Sequence, residues 1–268
     1  MSTLRFLHLS DTHFGTEQAA VANALLALNA AQKPLMAILS GDITQRARRA
    51  EFAAAAAFLD CLEIPVMALP GNHDIPLFNV AGRLLRPYGN YHRALQTPLM
   101  PEFETEQLLA LGVNTTRWYR HKDGEVSDEQ IEQIATRLRS ARPGQLRIVV
   151  THQPVHVIEQ RDEHNRLHNH EAAIRAWAAA GADLVLGGHI HLPYVRDLRE
   201  SYPDLSRKLW CVQAGTAVSR RVRFEASNSV NIVDYDTSRH ACQLRRWDFS
   251  STRGAFELYG EVAMRLDR

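Results

Sequence analysis

Five times in its first 191 residues this chain runs an apolar segment into polar side chains that can bind metal. Residues 4–9 lead into Ser10-Asp11-Thr12-His13, residues 35–39 into Ser40-Gly41-Asp42, and residues 64–69 into Gly71-Asn72-His73-Asp74. Residues 146–150 lead into Thr151-His152, and residues 184–186 into Gly187-Gly188-His189-Ile190-His191. Short apolar runs bounded in this way read as buried strands. Strand ends that deliver Asp, His, Asp, Asn, His, His and His describe a metal site gathered along one edge of a sheet.

The segments between these strands support that reading. Residues 18–29 and 48–62 are rich in alanine and leucine and read as helices. Strand and helix then alternate, which implies parallel strands joined by crossovers. In such sheets ligands collect beyond the carboxyl ends of the strands, where all five polar clusters lie. Taken alone, the pattern describes a doubly wound α/β sheet. Asp11 and His13 are two apart, so in an extended segment their side chains would share a face.

Residues 75–106 break the pattern with Pro76, Gly82, Pro87, Gly89, Pro98 and Pro101. They are expected to hold irregular structure or short helices, as an insertion shaping the site within a single domain of residues 1–268. Ser127-Asp128-Glu129-Gln130 is a capping-box pattern opening a helix to about residue 141. Residues 170–180 read as a further helix stopped by Gly181. Residues 209–213, 229–235 and 241–247 alternate without intervening helices and are expected to form antiparallel strands on the far sheet.

Composition narrows the class of function. A formal charge of +1 over 268 residues, with 45% hydrophobic residues, describes a globular chain and gives no sign of a polyanion-binding surface beyond a local basic patch. A nucleic-acid partner is therefore not expected. Cys61, Cys211 and Cys242 have no paired spacing and read as idle thiols of a reducing compartment. No apolar run approaches the ~20 residues of a membrane helix. The first strand begins within about four residues of Met1, which leaves no room for a signal peptide. A cytoplasmic location is expected, and a homo-oligomer remains open.

The donors are oxygen and nitrogen without thiolate, which suits Mn, Fe or Zn. Seven are too many for one tetrahedral ion but divide between two if a carboxylate bridges. Two ions roughly 3.5–4 Å apart can clamp the attacking and leaving oxygens of a phosphoryl transfer.

Asp11-x-His13, Gly41-Asp42, Gly71-Asn72-His73-Asp74, Thr151-His152 and Gly188-His189-Ile190-His191 resemble the complete motif series of the calcineurin-like metallophosphoesterases. The resemblance implies a four-layer α/β sandwich of two mixed sheets flanked by helices. It places Asp11, His13, Asp42 and His191 on one metal, with Asp42 bridging and Asn72, His152 and His189 completing the second. A metal-bridging hydroxide is the implied nucleophile. His73 is then not a ligand but acts on the phosphate or the leaving oxygen, with Asp74 orienting its ring. Thr12, Gln153 and Ile190 are spacers, and Gln153 stands where many relatives carry a second histidine. Ser10 to His13, residues 111–117, Ala214-Gly215-Thr216-Ala217 and residues 228–231 further resemble the bacterial class III cyclic-nucleotide phosphodiesterases.

The expected function is hydrolysis of a small phosphoester, a cyclic nucleotide or a similar diester. A broad-specificity diesterase or monoesterase, a nuclease and a non-catalytic scaffold are the alternatives. A scaffold that had lost catalysis would lack ligands or His73, and all are present. Outside the motifs, His8, His92, His121 and His240 read as ordinary surface or satisfied core residues. His156, His164, His168 and His170 read as a solvated loop. Arg220, Arg221 and Arg223 fit a phosphate contact or a charged strand edge equally well.

Overall fold

The structure, a computed structural model, describes residues 3–223 and 226–267. Its first sheet contains β1 (Thr3–Leu9), β2 (Met36–Leu39), β3 (Val66–Ala68), β10 (Ser229–Asp236), β11 (Ala241–Ser250) and β12 (Ala255–Arg265). The second contains β4 (Glu102–Glu104), β5 (Leu108–Gly112), β6 (Leu146–Val150), β7 (Leu184–Gly187), β8 (Tyr194–Asp197) and β9 (Trp210–Gln213). The strand orders are β12-β11-β10-β1-β2-β3 and β4-β5-β6-β7-β9-β8. In the first sheet β1, β2 and β3 are parallel, and β10 joins the free edge of β1 antiparallel, pairing Thr3 with Asp236. In the second, β5, β6, β7 and β9 are parallel with an antiparallel strand at each edge.

The parallel strands of both sheets are buried on both faces, which explains why they are near-continuous apolar runs. Phe6, Ile38, Met67, Ala110, Ile148, Val150, Leu186 and Val212 meet in the layer between the sheets. Leu7, Leu9 and Leu39 face outward under the helices α1 (Ala19–Gln32) and α2 (Arg49–Asp60), against Leu25, Phe52 and Phe58. Leu109, Leu111, Val149 and Val185 face the opposite way, under α5 (Asp128–Arg139) and α6 (His170–Ala179), against Ile134, Leu138 and Trp177. The result is helices, sheet, sheet, helices. Two mixed sheets thus replace the single doubly wound sheet that strand–helix alternation describes.

The capping box at Ser127 is present. The Ser127 hydroxyl accepts from the Gln130 amide at 3.2 Å, and the Gln130 side chain accepts from the Ser127 amide at 3.1 Å. Residues 75–106 hold two short helices, α3 (Val80–Leu85) and α4 (Gly89–Leu95), together with the edge strand β4. One expectation fails for the last quarter of the chain. β9 does not join β10 and β11 but lies parallel to β7 in the second sheet, while β10 and β11 extend the first. Alternation reports a strand but not its partner, because both sheets offered an open edge. Among the described residues no helix is long and apolar enough to cross a membrane.

His8 lies on β1, fully buried, with Nε2 3.0 Å from the Ser40 hydroxyl and no partner for Nδ1. Burial pushes its pKa down to about 3. The unfolded chain therefore takes up a proton below about 6.5 that the folded one refuses, so stability is full above that pH and falls from 6.5 towards 3. In metal-free protein this one residue contributes a slope of up to about 1.4 kcal/mol per pH unit. His8→Phe is expected to flatten the urea-unfolding free energy across that window, and an unchanged slope would show that His8 is not held neutral.

Candidate metal centre

The parallel strands of both sheets end on the same side, and the loops that follow β1, β2, β3, β6 and β7 meet there. The first two loops are laced together by backbone bonds from the amides of Asp11, His13 and Phe14 to the carbonyls of Gly41, Asp42 and Ile43, at 3.0, 2.9 and 2.8 Å. The amide of Gly188 bonds the His152 carbonyl, and the amide of His189 bonds Asp11 Oδ2, both at 2.9 Å, tying the second sheet to the first.

The seven expected donors come together in two adjoining groups. In the first, His13 Nε2 lies 3.3 Å from His191 Nε2 and 3.7 Å from Asp11 Oδ1, and His191 Nε2 lies 3.4 Å from Asp11 Oδ1. In the second, His152 Nε2 lies 3.2 Å from both Asp42 Oδ1 and Asn72 Oδ1, and a His189 ring nitrogen lies within 4.8 Å of the Asp42 and His152 donors. Asp42 belongs to both groups, since Oδ2 faces His13 at 3.7 Å while Oδ1 faces His152.

These groups fit metal ions. The corners of the first triangle lie about 2 Å from its centre, the bond length that imidazole and carboxylate make to zinc or a similar ion. Asp11 Oδ1 is buried with no hydrogen-bond donor, so its lone pairs are directed into this gap. On two of the four histidines, His152 and His191, the other ring nitrogen is anchored, which leaves Nε2 to face the gap. His152 Nδ1 donates to the Ser40 carbonyl at 2.8 Å, and His191 Nδ1 faces the Arg221 carbonyl and the Thr216 hydroxyl. Tautomers are assigned here from the partners.

The backbone that delivers the donors is unusual. Asp11, His13, Asp42, His189 and His191 all have positive φ, between 42 and 73°. The segment carrying Asp11 and His13 is thus not extended, and the two side chains converge because both residues are left-handed. Each such residue costs on the order of 1–2 kcal/mol. The lacing between the loops holds them there.

The electrostatics follow from burial. Burial works to raise the Asp42 carboxyl, but the charge of His152 and its hydrogen bond prevail and hold it well below the usual carboxylate range. Burial works to lower His152, yet the Asp42 carboxylate prevails and pushes it up to about 9. His13 and His189 are pushed well down by burial.

His73 also approaches His13 and Asp42 within 4.8 Å, but both its ring nitrogens are otherwise engaged. Nδ1 donates to the Gln45 carbonyl at 2.9 Å, and Nε2 accepts from Arg221 Nη1 at 3.0 Å. Asp74 does not orient this ring, contrary to expectation. Its carboxylate accepts from the amides of Ile43, Thr44 and Gly71 and from the Thr44 hydroxyl, at 2.8–3.0 Å. Adjacent residues diverge here, so Asp74 braces the loop while His73 faces the site. Burial and the Asp42 charge push the Asp74 carboxyl up to about 6.

Gln153 points away, with its oxygen on the Thr115 hydroxyl and its nitrogen on the Lys122 carbonyl. In the loop of residues 155–170, Asp162 is paired with Arg223 and His168 lies 3.5 Å from Asp123. Sequence reasoning passed over Ser40 and Gln45, whose backbone carbonyls hold His152 and His73 and leave no residue signature. Thr216 stood in a motif but without a role.

The profile of the calcineurin-like phosphoesterases matches residues 4–193, a stretch containing all seven donors. The chain belongs to that family, and family and donor clusters together support metal-dependent phosphoester hydrolysis at a two-metal centre. Its fold is similar to that of purple acid phosphatase from yellow lupin (Lupinus luteus) seeds, with 12% identity and a TM-score of 0.71 over 99% of this chain and 54% of that one. The chain thus spans about half the length of that phosphatase. It is also similar to Vps29 from Chaetomium thermophilum, with 11% identity and a TM-score of 0.51 over 98% of each chain. Vacuolar Protein Sorting 29 from Cryptosporidium parvum gives 12% and 0.51, over 99% of this chain and 100% of that one. No match to a curated protein sequence was found. At these identities the structural likeness shows the fold alone, and activity has to be argued from the site.

A glycine gives a test that alters no donor. A Cβ added at Gly71 would overlap the backbone nitrogen and Oδ1 of Asp42, neither of which can swing aside. Gly71→Ala is therefore expected to cut metal content measured by elemental analysis to less than half, with the circular-dichroism spectrum retained. Full occupancy in the variant would show that Asp42 does not need this close approach.

Proposed function

We propose that the protein is a dinuclear phosphodiesterase acting on cyclic nucleotides or similar small diesters. The observation that carries the reading is Asp42, whose two carboxylate oxygens face separate donor groups, His13 on one side and His152 on the other. Asp11, His13, Asp42 and His191 would hold one ion, and Asp42, Asn72, His152 and His189 the other. Two bound ions, Mn, Fe or Zn by the donor set, supply charge stabilisation of the phosphoryl group and an activated water as nucleophile. His73 faces the same space and contacts a phosphoryl or leaving oxygen, its ring fixed by the Gln45 carbonyl.

A diester carries a second substituent that needs a surface. In the 75–106 segment Phe78, Val80, Leu84 and Leu85 are exposed, as are Trp118 and Tyr119. Arg46, next to Gln45, sits over the Phe78 ring at 5.2 Å. Arg83 anchors α3 to this region through the carbonyls of Pro76, Trp118 and Arg120. The Phe78 ring, held by Arg46, suits a base, aryl or alkyl group beside the phosphate.

Metal-reconstituted protein is expected to hydrolyse an aryl phosphodiester faster than the matching monoester. A monoester preference would instead make it a phosphomonoesterase. Asp42→Ala should release both ions together, and retention of one ion would remove the bridge from the assignment. His73→Ala should keep its metals while kcat falls by about 10²–10⁴-fold. That loss should shrink on nitrophenyl esters, whose leaving groups need little protonation; an equal loss on poor and good leaving groups would restrict His73 to phosphate contact.

A further inference from the structure

Of the three arginines in the loop after β9, the structure separates one from the others. The Arg220 side chain is exposed. Arg223 is neutralised by Asp162 at 2.9 Å and Glu159 at 2.6 Å, and also touches the Ile190 carbonyl, so it straps the 155–170 loop against the histidine-bearing turn. Arg221 turns inward. Its Nη1 donates to Gln45 Oε1 at 3.1 Å and to His73 Nε2 at 3.0 Å. Among the described residues none of its hydrogen-bond partners is a carboxylate.

A guanidinium held only by neutral acceptors, beside a cluster of donors for cations, lacks an anion. We infer that Arg221 binds the phosphoryl oxygens of the substrate, exchanging its bond to His73 for a charge-assisted one to the phosphate, while Gln45 keeps the side chain aimed. The inference rests on the phosphoesterase reading above and adds the residue that recognises the phosphate. The geometry suits the task because guanidinium presents paired donors that match two phosphate oxygens, and one of its two terminal nitrogens is already fixed.

The loop is built to hold this residue in place. The Arg221 amide donates to the Ser219 hydroxyl at 3.2 Å, and Asn228 donates to the Ser219 carbonyl at 2.7 Å. The backbone carbonyl of Arg221 meanwhile receives the Thr216 hydroxyl at 2.8 Å and His191 Nδ1. One residue therefore orients a metal-site histidine through its backbone and reaches the substrate position through its side chain. Substitution of the side chain leaves the carbonyl in place, which makes the two roles separable.

The test measures inorganic phosphate binding to metal-loaded protein by calorimetry, beside metal content by elemental analysis. Wild type that holds two ions and binds phosphate upholds the phosphoesterase reading; wild type that does neither defeats that reading and this inference with it. Arg221→Met is expected to keep wild-type metal content and bind phosphate about 10–100-fold more weakly, as for a lost charge-assisted hydrogen bond. Arg220→Met should bind phosphate as wild type does. In Arg221→Ala, millimolar guanidinium should restore part of the phosphate affinity. Unchanged phosphate affinity in Arg221→Met, loss of metal from both Arg221 variants, or the same weakening in Arg220→Met would overturn the assignment.

Discussion

The carboxylate of Asp42 is buried between histidines of different origin, His13 from the first sheet and His152 from the second. A single short side chain can face both only if the two sheets are held in a fixed position against each other. That requirement accounts for much of the surrounding structure. It explains the backbone lacing between the β1 and β2 loops, the bond from His189 to Asp11, and glycines at 71 and 188 whose Cβ atoms would strike Asp42, Ser10 and Asp11. It also explains why five donor residues are tolerated in left-handed backbone, since a donor at a sharp turn can point back along the strand axis. The tightly packed layer between the sheets supplies the rigidity that such strain needs.

Around this centre the polar groups fall into two kinds of work. Asp74 and Arg223 direct their hydrogen bonds to protein partners and hold loops in position. His73 and Arg221 lean on each other and on Gln45, and stay turned towards the space the donors enclose. The distinction rests on partners rather than residue type, because each kind includes one member of the Asn72-His73-Asp74 run or one of the loop arginines.

The donors were legible in the sequence because burial on both faces makes each parallel strand a near-continuous apolar run, and its polar successor stands out. The helices were legible for similar local reasons, down to the Ser127 and Gln130 exchange. Relations between distant segments were not. Nothing in residues 209–213 distinguishes a strand that joins β7 from residues 229–235, which join β1. β4 and β8 are three and four residues long at sheet edges, too short for a pattern. The spacing of Asp11 and His13 predicted convergence for the wrong reason, since positive φ replaces extended geometry there. The role of Asp74 was misread because a side chain beside a histidine in sequence can bond in the opposite direction in space.

The pairing of β1 with β10 has a consequence for how the chain is made. All the donors lie before residue 192, so a ribosome has released them while β1 still lacks the neighbour that covers its outer edge, supplied only at residues 229–236. Until then the nascent first sheet exposes an open row of peptide groups, the kind of edge on which foreign strands add. Closure joins segments more than 220 residues apart, a contact whose entropic cost makes it slow. The vulnerable interval for this protein is therefore the synthesis of residues 192–236, after its donors are encoded and before β1 gains its second neighbour.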